Sequence, residues 1–174
     1  MTYAKGTGVS VERSRAELGT ILARYGAKNY VVGSDDDAGV AHIGFALEGH
    51  RVRLSIPLPK FDDFATHLDR VRRRTERSTP ERQRKDFEQA CRERWRAAVL
   101  MTKSKLELVQ LGCSTFEREF LADVVLPDGR TVHEALREPL RVAGITGQIP
   151  RYLLGPAEPP RVGPGAWSEG VIEP

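Results

Sequence analysis

Between Ala41 and Leu58 the chain alternates apolar with polar or small residues almost without a break, and few folds accommodate such a run. Ala41, Ile43, Phe45 and Leu47 alternate with His42, Gly44, Ala46 and Glu48; beyond Gly49-His50, Val52, Leu54, Ile56 and Leu58 alternate with Arg51, Arg53 and Ser55. A period of two marks strands with one buried face, here two of them joined by a tight turn. With Gly49-His50 as the turn, Glu48 stands opposite Arg51, Leu47 opposite Val52, Phe45 opposite Leu54 and Ile43 opposite Ile56. Every apolar pair then falls on one face. Pro57 and Pro59 end the second of these strands, because proline cannot donate to a ladder. Tyr30 and Val32, followed by the polar turn Ser34 to Asp37, predict a preceding strand and so a three-stranded antiparallel meander.

Helical periodicity flanks the meander. Ser10 before Val11, Glu12 and Arg13 is a helix start, and Val11, Leu18, Ile21, Leu22 and Tyr25 recur at helical spacing until Gly26, which predicts a helix over 11–25. Phe61 to Leu68 reads as a short helix followed by an Arg-rich linker through Ser78. Thr79 then caps a helix with Pro80 in its first turn. From there Phe87, Cys91, Trp95, Ala98, Val99, Thr102, Leu106 and Val109 trace one apolar stripe to Gly112, the longest element of the chain. Ser114 to Glu117 reads as a capping box for a short helix through Leu121, and Val124 to Leu126 as a brief extended piece before the turn Pro127-Asp128-Gly129. Thr131 to Glu134 is a second capping box, opening a helix that Pro139 ends or kinks. The expected class is α+β, with a flexible tail over 1–9, a single domain over 10–143 and a Pro/Gly-rich, irregular tail over 144–174.

At 174 residues the chain is long enough to bury a core without metal or disulfide staples, and its two cysteines make no framework. The start Met1 to Gly6 leads into no apolar signal core and no stretch approaches a membrane span, so the expectation is a cytoplasmic protein with no membrane partner. The net charge of +3 is modest, but its distribution is uneven: residues 69–96 hold eleven basic and six acidic side chains, a local excess of +5. Arginine outnumbers lysine 21 to 6, which suits bidentate phosphate contacts but also follows from a GC-rich coding genome. Pairs such as Glu88 with Arg92, four apart on a helix, fit a solvated face equally well.

The signatures of catalysis are missing. Gly6-Thr7-Gly8 lacks a preceding strand and a third glycine, and no G-x-x-x-x-G-K segment exists. The four histidines are scattered, with no H-x-x-x-H or C-x-x-C spacing, so no metal and no cofactor is expected. No lysine has a carboxylate two residues before it, which argues against one nuclease class. Cys91 lies on the apolar stripe and Cys113 follows a helix C-terminus, where a thiolate is disfavoured. Asp35-Asp36-Asp37 reads as a solvated turn. No catalytic residue is assigned.

The outer face of the sheet is the most informative surface. It presents His42, Gly44, Ala46, Arg51, Arg53 and Ser55, small residues with two arginines, which would let a flat ligand approach closely while the guanidinium groups meet phosphate or stack on bases. None of these residues is aromatic, which a single-strand platform would favour, and a helix covering this face is the competing expectation. A small enzyme or nucleotide binder using His42, Arg51 and Arg53 is a further alternative.

Seven short stretches also carry a resemblance: Val11 to Leu18, Arg24-Tyr25-Gly26-Ala27, Ile43-Gly44-Phe45, Arg51 to Pro59, Arg94-Trp95-Arg96, Lys103 to Glu107 and Phe120 to Val132. Over roughly residues 10 to 155 the chain resembles small uncharacterised proteins encoded by bacteriophages and prophages. That resemblance implies a setting, the cytoplasm of an infected or lysogenic bacterium, and no mechanism. The leading expectation is a non-enzymatic accessory protein that binds DNA or RNA through Arg51, Arg53, Arg72, Arg73, Arg74, Arg77, Arg82, Arg84 and Lys85. The competing one is an interaction module whose long helix pairs with a host protein or a second copy of itself, with Trp95 as anchor.

Overall fold

A computed structural model describes residues 3–35, 37–69 and 74–148. Helix α1 (Val11–Arg24) leads into a meander of β1 (Lys28–Asp35), β2 (Val40–Leu47) and β3 (His50–Pro57); a 3-10 turn (Phe61–Phe64) and the hairpin β4 (Thr66–Asp69) with β5 (Arg74–Arg77) follow. The long helix α2 (Pro80–Gln110), the short α3 (Phe116–Phe120), a 3-10 turn (Leu121–Asp123) and α4 (Val132–Thr146) complete the chain, and the class is α+β as expected. Two compact units are distinguished, Met1–Glu134 and Ala135–Pro174. In the second, α4 continues past Pro139, and Leu140, Val142 and Ile145 are exposed.

The starts of α1 and α2 follow their sequence signals. Ser10 and Thr79 accept the amide N–H of Arg13 and Arg82 at their caps, and Pro80 fills the position where a missing donor costs nothing. The cap of α3 is Thr115, which accepts from Arg118 N–H, and not the expected Ser114. Thr131 and Glu134 do form the reciprocal box at α4. Within residues 3–9, Gly6 N–H donates to Glu93 and the Thr7 carbonyl accepts from Gln89, both on α2; Ala4 is buried while Tyr3 is exposed.

The sheet order is β1-β2-β3, antiparallel throughout. The β2–β3 turn is Glu48-Gly49, both at positive φ (49° and 79°), so Leu47 pairs with His50, Phe45 with Val52 and Ile43 with Leu54. The expected turn at Gly49-His50 is therefore one residue late. His50 instead joins β3 and stacks on Phe116 with ring centroids 5.7 Å apart. Moving the turn by one residue slides the register by two, so each side chain keeps its face. A bulge separates the Lys28–Ala46 and Val31–Gly44 pairs, with Asn29 at φ 57°, a conformation asparagine tolerates. Tyr30 turns inward beside Gly19, its hydroxyl donating to the Arg15 carbonyl at 3.0 Å.

Of the segment expected as a short helix over 61–68 and a linker through Ser78, Phe61–Phe64 is helical, as a 3-10 turn, while Thr66–Asp69 and Arg74–Arg77 pair as the β4–β5 hairpin. Thr66, Leu68, Thr75 and Arg77 are exposed while His67 and Glu76 are half-buried, so among these described residues there is no apolar face to generate a period-two signal. The core lies on the other side of the meander. Ile43, Phe45, Val52 and Leu54 pack under Leu18 and Leu22 of α1, Trp95, Val99 and Leu106 of α2, and Phe116 and Phe120 of α3. Phe45 meets Phe120 edge-on at 6.0 Å. The Arg15 guanidinium lies 4.5 Å from the Trp95 ring centre, and Arg96 pairs with Glu17 at 2.6 Å, tying α1 to α2.

Candidate ligand-binding face

Because both long helices of the first unit pack on the inner face, among the described residues the outer face of the meander is uncovered by α1 or α2. It forms an open concavity of about 380 Å³. Gly33, Gly44 and Ala46 make its floor, with Val31, 63% exposed, beside them; Asn29, His42, Arg51 and Arg53 stand around it. The β1 bulge brings Asn29 into this face, and His42 Nδ1 lies 3.1 Å from Ser55 Oγ across the β2–β3 ladder. Beyond β3, Val124 bridges to Val52 and the Val125 amide donates to the Arg51 carbonyl at 2.8 Å, so Val125 closes that side of the hollow.

The two arginines differ. Arg53 is held by Glu134 at 2.5 Å, the same carboxylate that accepts the Thr131 amide at 2.8 Å in the α4 capping box. The Thr131 N–H, and after it the Arg53 charge, holds the Glu134 carboxyl below its ordinary range, so this pair is ionised together at neutral pH. Arg53 thus fastens β3 to the start of α4. Arg51 is exposed and makes no ion pair among the described residues, which leaves its guanidinium available to an anion.

The remaining expected residues are not gathered with these. Arg72 and Arg73 lie outside the described residues, and Arg74 opens β5 opposite Asp69. Arg77 closes β5 and is exposed. On α2, Arg82 pairs with Asp86 (3.6 Å), Arg92 with Glu88 (4.0 Å) and Arg96 with Glu17, so much of the long helix's basic stripe is met by adjacent acids. Arg84 and Lys85 are exposed and, like Arg77, without an ion pair among the described residues. Trp95 is 1% exposed and belongs to the core, which removes it as an interface anchor.

Sequence reasoning placed His42, Gly44, Ala46, Arg51, Arg53 and Ser55 on this face and missed Asn29, Val31, Gly33, Val125 and Glu134. Val31 and Gly33 follow from the same alternation that turns Tyr30 and Val32 inward, Asn29 is brought in by the bulge, and Val125 and Glu134 arrive from positions some 70 to 80 residues away, for which one sequence carries no local signal. Among the described residues no group of three or more His, Cys, Asp or Glu side chains is placed to hold a metal ion, and no helix is long and apolar enough to cross a membrane. No family model, curated protein or solved structure matches the chain.

Proposed function

We propose that this chain is a non-enzymatic nucleic-acid-binding protein that lays a single strand across the outer face of its meander, acting in the cytoplasm of a phage-infected or lysogenic bacterium. The observation that carries this reading is the glycine floor. A glycine inside a strand costs roughly 0.5–1 kcal/mol against alanine, and the usual reason for one is close approach by another part of the chain. Here that reason is absent among the described residues: a Cβ at Gly44 would meet nothing closer than 4.0 Å, and one at Gly33 nothing within 4 Å. The space is left open toward the outside. A flat ring fits a floor of glycine and alanine, Arg51 reaches a phosphate or stacks on the ring, and Asn29 and His42 supply hydrogen-bonding edges. With no aromatic platform, phosphate contacts dominate, and the exposed Arg77, Arg84 and Lys85 are further cations a phosphate chain could meet.

Fluorescence anisotropy with labelled DNA and RNA single strands of about 20 nucleotides, longer than one such site, tests the reading. The expected result is binding that weakens between about 50 and 200 mM salt with a log-log slope near 0.7 per phosphate contacted. Arg51→Ala lowers affinity about tenfold, and Gly44→Val, which fills the floor with a strand-favouring side chain, removes binding in a folded protein. No binding at the lower salt, or binding indifferent to both substitutions, overturns it.

A further inference from the structure

The surface of α2 turned away from the core carries a second pattern, independent of the ligand-binding face. Arg94, Ala97, Met101, Ser104 and Leu108, with Leu111 at the C-cap in helical conformation, follow one another at intervals of three and four, the spacing of a coiled-coil seam. Core-facing Trp95, Val99, Thr102 and Leu106 lie on the opposite side of the same helix. All six seam residues are exposed, including Met101 at 43%, Leu108 at 41% and Leu111 at 75%, an unusual concentration of large apolar side chains on a solvent-facing helix.

We propose that this seam is the dimer interface of the chain, occupied by α2 of a second copy running antiparallel. The spacing is self-complementary in that direction. Setting Met101 against Ser104 of the second copy also sets Ala97 against its Leu108 and Arg94 against its Leu111, so the inner layers each join one large to one small residue and the gap between helices stays even along about 26 Å. A parallel pair fails on both counts. It stacks Met101 on Met101 and Leu108 on Leu108 between narrow layers of alanine and serine, and it opposes Arg94 to Arg94.

Charge favours the same direction. The last turn of α2 holds no basic residue to meet its carbonyl end, while Arg94 makes no ion pair among the described residues. In the antiparallel pair Arg94 of each copy lies at the other's C-terminal turn, where a cation is stabilised by the helix dipole; Glu107, one turn back, is already paired with Lys103 at 3.9 Å. The two-fold axis repeats that contact at both ends.

Sedimentation equilibrium of the full chain, freed of nucleic acid, tests the proposal. It expects a concentration-dependent dimer, and a Leu108→Glu variant with an unchanged circular dichroism spectrum whose dissociation constant is about a hundredfold higher, since each dimer loses two leucines. In a Cys113→Ser background, Ala97→Cys with Leu108→Cys should oxidise to a covalent dimer, and Leu108→Cys alone should not. A monomeric wild-type chain overturns the proposal, whether residues 135–174 or another protein cover the seam. So does a dimer that survives Leu108→Glu, and so does cross-linking through Leu108→Cys alone.

Discussion

The two faces of one sheet follow opposite rules. Inward, β2 and β3 present Ala41, Ile43, Phe45, Val52, Leu54 and Ile56, all buried under helices; outward, the same strands present His42, Gly44, Ala46, Arg51 and Arg53. Inner residues are selected by volume and shape, because a close-packed interior responds to a single methylene. On the outer face Gly44 and Ala46 are small beside the large inner residues Ile43 and Phe45, and at Gly44 no neighbour in the described chain demands it. One face therefore reports how the protein folds, and the other reports what the protein leaves room for.

The contrast breaks most visibly at Trp95, the largest fully buried side chain packed beneath the inner face. Trp95→Ala should lower stability by about 3–5 kcal/mol, read as a shift in the urea unfolding midpoint. A folded variant of unchanged stability would return Trp95 to the surface and with it the idea of a tryptophan-anchored interface. Next comes a test on two consecutive residues. Ile43→Ala is expected to cost about 2–5 kcal/mol, whereas Gly44→Val one position later should lie within about 1 kcal/mol of the parent, on the stabilising side. A large loss at Gly44→Val would mean that something in the chain does occupy the outer face.

What was legible in the sequence follows the same division. The inner face produces periodicity, so the meander, α1 and the stripe of α2 can all be read from spacing, and even a turn misplaced by one residue left every side chain on its correct face. Among its described residues the β4–β5 hairpin buries no apolar face, so no period-two signal distinguishes its strands from a linker, and arginine density stood in for a signal. The outer face was named from alternation alone, but its boundary depends on a bulge at Asn29 and on contacts of large sequence separation. The basic segment 69–96 shows the limit of counting charge: composition gave an excess, and the structure meets Arg82, Arg92 and Arg96 with Asp86, Glu88 and Glu17.

The smallest expected effect separates the two outer-face arginines. If Arg53 is a fastening and Arg51 a ligand group, then removing the Glu134 charge should touch stability and not the reading of Arg51. Glu134→Gln keeps a side chain able to close the capping box and removes only the charged partner of Arg53, so the cost at neutral pH is about 0.2–1 kcal/mol, the range for partly exposed pairs. Its pH dependence has a definite sign. The Thr131 N–H and Arg53 hold Glu134 below its ordinary 4.5, so between that lowered value and 4.5 the unfolded chain binds more protons than the folded one, and stability rises with pH. The contribution is complete above 4.5 and disappears as acid protonates the folded carboxyl. Urea midpoints of the parent and Glu134→Gln should therefore differ at pH 7 and converge as the pH falls through the carboxylate range; a difference that persists unchanged into acid would show that Glu134 acts through shape alone and that Arg53, like Arg51, is free to meet a ligand.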